Sequence, residues 1–194
     1  MRERVRIRHF SAGFTLMDLL ITVAVFVTVS AVAIPTLAGA VNNMRLRMAS
    51  RDVERELQTA RLRAVSMNRA FRVRFNCPNA GEYRVVELIG TPAVPDARDN
   101  EASRCSAQQY PYPAPDNNPL TRPNGDGPLR RLPDGVSFSS VQTIEFWPNG
   151  TAHVSTGGTL PWPKISAAGV TLTIAKSSTT RSIGVTGLGK IRIP

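Results

Sequence analysis

The feature that most constrains this chain is the run from Phe14 to Val41. It is apolar apart from Thr, Ser and Gly residues, Pro35, and one acid, Asp18. A carboxylate near the centre of a bilayer costs about 2.5–3.5 kcal/mol on insertion scales, so an acid in such a run is a candidate functional residue. The run is long enough for the roughly 20 residues that a membrane-spanning helix requires. Arg2, Arg4, Arg6 and Arg8 precede it, and Arg45, Arg47, Arg51 and Arg55 follow it. Orientation normally follows the excess of Lys and Arg on the cytoplasmic flank. Here the two flanks tie, and composition leaves the topology open. A signal peptide cut after the small-x-small sequence Ala31-Val32-Ala33 is one reading. It makes the apolar core too long and gives Asp18 no role. A plain anchor accommodates the length.

Beyond the anchor the pattern stays helical. Leu46, Ala49, Val53, Leu57, Ala60, Ala64 and Met67 recur at spacings of three and four, one apolar stripe. The stripe is rich in alanine, so the helix can lie close against a sheet. A single helix over 14–68 would span roughly 80 Å at 1.5 Å per residue. Pro35 removes one internal hydrogen bond and is expected to kink it. Arg47, Arg51, Arg55 and Arg69 fall opposite the stripe. They read as a solvated face with Asp52, Glu54 and Glu56 as local partners; contact with lipid or nucleic acid is the alternative.

From Phe71 the period becomes two: Phe71, Val73 and Phe75 alternate with Arg72 and Arg74. Further strands are expected over 81–90, 136–140, 143–147, 151–154, 169–176 and 181–185, with a last one in Lys190-Ile191-Arg192-Ile193-Pro194. Residues 91–134 hold nine of the fifteen prolines and read as a long loop or insertion. A helix followed by many short antiparallel strands gives an α+β fold: a long N-terminal helix on a small antiparallel sheet or sandwich.

Net charge is +10, of which residues 1–13 carry +3 and the remainder +7. A basic surface attracts nucleic acid or anionic lipid, or simply keeps a protein soluble. The two cysteines, Cys77 and Cys105, both follow the apolar run. If that part lies outside the cytoplasm, a disulfide between them is favoured over two buried thiols. Beyond residue 13 the only histidine is His153, so no histidine pair is available there for a metal. There is no HExxH, CxxC or GxSxG motif. Gly184, Gly189 and Lys190 mimic the spacing of a phosphate-binding loop, but Ile191 stands where Ser or Thr would meet Mg²⁺. Neither enzymatic activity nor a cofactor is expected.

Gly13-Phe14-Thr15-Leu16-Met17-Asp18-Leu19-Leu20 resembles the leader junction of type IV pilins and type II secretion pseudopilins. The resemblance implies cleavage after Gly13 by a prepilin peptidase on the cytoplasmic side and N-methylation of Phe14. Asp18 then falls at the fifth mature position, where that family has an acid, usually Glu. Pro35 falls at the twenty-second, where proline is common. The resemblance further implies that Asp18 meets the N-terminal amine of a neighbouring subunit, since a charge in an apolar filament core needs a partner. It also implies a single pass through the bacterial inner membrane, with the C-terminal domain outside the cytoplasm.

The later text Ile144-Glu145-Phe146-Trp147-Pro148-Asn149-Gly150, then 169–176 and 181–194, is similar to the C-terminal pattern of the GspH/FimT minor pilins and pseudopilins. Residues 56–75 fit the same family, whereas 91–134 does not. The implied divisions are a leader (1–13), a membrane and filament-core helix (14–41), an amphipathic continuation (42–70) and a β-rich domain (71–194). Partners would be the peptidase, other pilin or pseudopilin subunits and the inner membrane. DNA is an alternative partner: Gly189-Lys190-Ile191-Arg192 is similar to a basic C-terminal motif of FimT-like pilins, with Arg181 as a further cation.

Overall fold

The computed structural model describes residues 14–157 and 160–194. The chain forms two units, which meet in sequence between Val41 and Asn42. The first contains the start of helix α1 (Leu16–Met67), which runs unbroken through Pro35. It is long and apolar enough to cross a membrane. No described side chain between 14 and 41 is buried.

Among the described residues the second unit has nine strands in two antiparallel sheets. In the first sheet β1 (Phe71–Phe75), β2 (Glu82–Glu87), β3 (Arg130–Arg131), β5 (Ile144–Phe146) and β6 (Ala152–Val154) lie in the order β3-β2-β1-β5-β6. In the second, β4 (Ser137–Ser140), β7 (Val170–Lys176), β8 (Thr179–Val185) and β9 (Ile191–Arg192) lie in the order β4-β7-β8-β9. The α+β expectation holds. The core joins Leu46, Ala49, Val53, Leu57, Ala60 and Ala64 of α1 to the inward side chains of both sheets, such as Val73, Val85, Ile144, Leu172 and Ile183. Three of those six helix residues are alanine, which lets the helix axis approach the strands closely. Met67, expected in the stripe, is exposed. There α1 ends: Asn68 takes a positive φ of 52° and Arg69 N–H donates to Ala64 O at 3.2 Å. This is a left-handed cap, with Asn in the position more often held by Gly.

Residues 91–134 are more than a loop. They contain three short 3₁₀ turns, Ala97–Asn100, Ala102–Cys105 and Pro119–Thr121, and contribute β3. They cover the outer face of the first sheet. As a result β2 is buried along its whole length, on both faces.

Candidate functional site

At the N-terminal junction Thr15 caps α1. Its hydroxyl accepts the Asp18 N–H at 3.2 Å, and Asp18 Oδ2 accepts the Thr15 hydroxyl at 2.7 Å and the Thr15 N–H at 3.2 Å. This is a reciprocal capping box, built with Asp in place of the usual Glu or Gln. A carboxylate in the first turn also sits favourably against the positive end of the helix dipole. Phe14 is exposed. Gly13 lies outside the described residues.

The basic C-terminal residues do not form one cluster. Lys190 closes the turn from β8 to β9: its N–H donates to Thr186 Oγ1 at 3.3 Å and its carbonyl accepts Thr186 N–H at 3.0 Å. Arg192 pairs across β9 with Gly184. Lys190 and Arg192 line one groove of about 410 Å³, floored by Ile165, Ala167 and Leu188 and shared with Lys164. Arg181 lies in a different concavity, with Arg47 and Arg51 of α1. The structure therefore keeps Lys190 with Arg192, adds Lys164 and removes Arg181. Lys164 was missed because its approach comes from a single bridge, to His153, that carries no local sequence signal.

Of the glycines that mimic a phosphate loop, Gly189 serves packing. Gly189 has φ +71°, and a Cβ there would lie 2.5 Å from both Gly150 O and Arg61 Nε. Arg61 Nε donates to Gly150 O at 3.1 Å. The turn after β5 and the turn before β9 thus meet at one arginine of the helix. His153 is buried, stacked on Trp147 at 3.6 Å between ring centroids, and both its nitrogens are engaged, with Trp162 O at 2.8 Å and Thr151 Oγ1 at 3.0 Å. Burial pushes its pKa down, and its role is structural.

The densest polar cluster holds the 91–134 cover in place. Arg84 Nε donates to Gly127 O at 2.8 Å, and its other nitrogens donate to Ser106 O and Tyr110 O. Arg74 donates to Glu101 O, and Arg72 to Asn100 Oδ1 at 2.8 Å and to Glu145 at 2.7 Å. Arg104 reaches back from the cover to Glu87 O and, within the cover, donates to Asp126 Oδ1. Cys77, just past β1, is joined to Cys105 in the cover by a disulfide, with Cα atoms 5.6 Å apart. Glu87 is fully buried. Burial alone would raise its pKa, but the N–H groups of Gly125 and Asn124 and the Arg122 guanidinium together hold it below the usual carboxylate range. Asp126 goes the other way: burial outweighs Arg104 and pushes it up. Among the described residues no group of His, Cys, Asp and Glu forms a metal site.

No family model matches the chain, and no curated protein matches it. Among solved structures, the type IV minor pilin FimU of Pseudomonas aeruginosa is similar at 14% identity over 78% of this chain and 90% of that one, with a TM-score of 0.45. The minor pseudopilin EpsH from the Type 2 Secretion System of Vibrio cholerae is similar at 12% identity over 77% of this chain and 96% of that one, with a TM-score of 0.43.

Proposed function

We propose that the chain is a minor pilin or pseudopilin of the GspH/FimT kind, a structural subunit for assembly of a type IV pilus or a type II secretion pseudopilus. The observation that carries this reading is the start of α1. A helix capped by Thr15 begins at Leu16 with Asp18 in its first turn, and none of the described apolar side chains from there to Val41 is buried. Such a surface requires a bilayer or other apolar helices around it. The leader-junction text supports cleavage after Gly13 and methylation of Phe14. The Cys77–Cys105 disulfide supports a domain outside the cytoplasm. In this reading Asp18 pairs with the amine of the next subunit, Pro35 loosens the helix, and prepilin peptidase, sister subunits and the inner membrane are the partners. Mass spectrometry of the mature N-terminus tests it. N-methyl-Phe14 is the expected result, and an N-terminus at Ile34 overturns it.

A second reading, DNA binding for uptake, is favoured by one observation: Lys164, Lys190 and Arg192 share a groove. Contacts to phosphates would make such binding salt-sensitive and indifferent to sequence. A gel shift at low salt that the K190A/R192A variant abolishes supports it. Equal binding by parent and variant removes it.

A further inference from the structure

We propose that Arg47, Arg51 and Arg181 form a clamp for the phosphate of an anionic phospholipid headgroup, separate from the groove of Lys190 and Arg192. The proposal rests on the membrane-anchored reading above.

Arg47 and Arg51 are four apart, so they project from one side of α1. That stretch of helix is held against the domain by Leu46, Ala49, Ser50 and Val53, all buried. Arg181 comes from β8, where it pairs with Ile174 of β7. The three arginines line one concavity of about 500 Å³, walled by Ser50, Glu54 and Ile193.

The arginines of α1 and the one just past its end do not share a common fate. Arg55 pairs with Asp52, and Arg69 pairs with Glu87. Glu56, a candidate local partner, instead faces Arg130 of β3. Glu54 accepts a hydrogen bond from Gln58 at 3.3 Å. Among the described residues Arg47, Arg51 and Arg181 make no ion pair. Three cations and one carboxylate, Glu54, line the hollow, and an anion within it relieves the net positive charge. Guanidinium forks match the oxygens of a phosphate group in particular.

A lipid headgroup is favoured over nucleic acid by position in the chain. Arg47 and Arg51 follow Val41 by only six and ten residues. That is within the distance over which cations flanking a membrane segment meet headgroups. The three arginines also share a single concavity, where a duplex would need a track of several cations.

The test uses the full chain in nanodiscs of phosphatidylcholine alone or with phosphatidylglycerol. Arginine modification by phenylglyoxal is read peptide by peptide. In discs with phosphatidylglycerol, modification of Arg47, Arg51 and Arg181 is expected to slow by about fivefold or more, with Arg55 unchanged. In the Arg181→Gln variant the protection of Arg47 and Arg51 should fall. Equal rates in the two lipids overturn the proposal. So does equal protection of Arg55, which would indicate a diffuse field. Protection in phosphatidylcholine discs by inorganic phosphate to the same degree would make it a free-phosphate site, and protection by a DNA duplex alone a nucleic-acid site; either overturns it. A chain that does not enter the discs overturns the membrane reading, and the clamp with it.

Discussion

Asp18 and Thr15 hold each other at the head of α1: the carboxylate takes the Thr15 hydroxyl at 2.7 Å while that hydroxyl takes the Asp18 N–H at 3.2 Å. The acid therefore has a role within its own chain as well as the inter-subunit role proposed for it. Two substitutions separate the roles. Asp18→Asn keeps an oxygen acceptor for Thr15 and removes the charge. It should be cleaved normally and enter filaments about tenfold less or worse, as expected when one partner of a buried charge pair is lost. Thr15→Val keeps the charge and loses the cap, at about 1 kcal/mol of local helix stability, and should assemble far better than Asp18→Asn. Quantifying each variant in sheared filaments against the membrane fraction checks both. Normal assembly of D18N would show that charge pairing is not what Asp18 supplies.

Gly189→Ala should destabilise the β-rich domain by about 2–4 kcal/mol. It combines a left-handed backbone with overpacking against a neighbour that cannot move aside. The obstacle is Gly150 O, a backbone atom 2.5 Å from the added Cβ. Gly184→Ala is the control, since its nearest atom is 3.8 Å away and its φ is ordinary. Thermal melts should separate the two by several degrees. Equal melting would mean that the two turns do not meet at Arg61.

The two buried acids predict opposite pH dependences. Glu87 has a folded pKa below its unfolded value, so its stabilisation is present above about pH 4.5 and is lost as pH falls through the folded value. Asp126 has a raised folded pKa, so its ionisation costs stability as pH rises from about 4 through that value. Glu87→Gln should therefore cost about 3–5 kcal/mol at pH 7, with Arg69 and Arg122 left facing a neutral group. It should also flatten the acid limb of the stability curve. Asp126→Asn, which keeps an acceptor for Arg104, should cost distinctly less. Denaturant unfolding between pH 3 and 8 measures both.

Replacing Cys77 and Cys105 together by Ser should cost about 3–4 kcal/mol for a cross-link spanning 28 residues. The loss should be local first. Limited proteolysis is expected to cut within 91–134 before it touches α1 or the second sheet. Simultaneous cleavage throughout would show that the cover and the core unfold as one.

The elements with strong periodicity were legible in the sequence. Leu46 through Ala64 repeat at helical spacing and are buried, and Phe71-Arg72-Val73-Arg74-Phe75 alternates and is β1. What alternation could not reveal is where the odd residues go. Arg72 reads as a solvent-facing strand residue, yet it is buried, because a segment about thirty residues away folds over it. That segment looked structureless because its own signals are confined to short turns, such as the Asp96–Asp99 capping box and the Asn118 cap, while side chains of other strands and a disulfide hold it in place. Cys77 and Cys105 could be paired on compartment alone. The separation of Arg181 from Lys190 and Arg192 could not be read in advance, because it depends on which side of the second sheet each strand end reaches.

Arg84 and Arg74 grip the cover largely by its main-chain carbonyls, at Ser106, Tyr110, Gly127 and Glu101. Every amino acid presents a carbonyl, so this grip is indifferent to what the cover spells. The address of the segment is written in the sheet beneath it. Its outward side chains are left free to drift between relatives, or to be exchanged by design, while the segment stays docked in the same place.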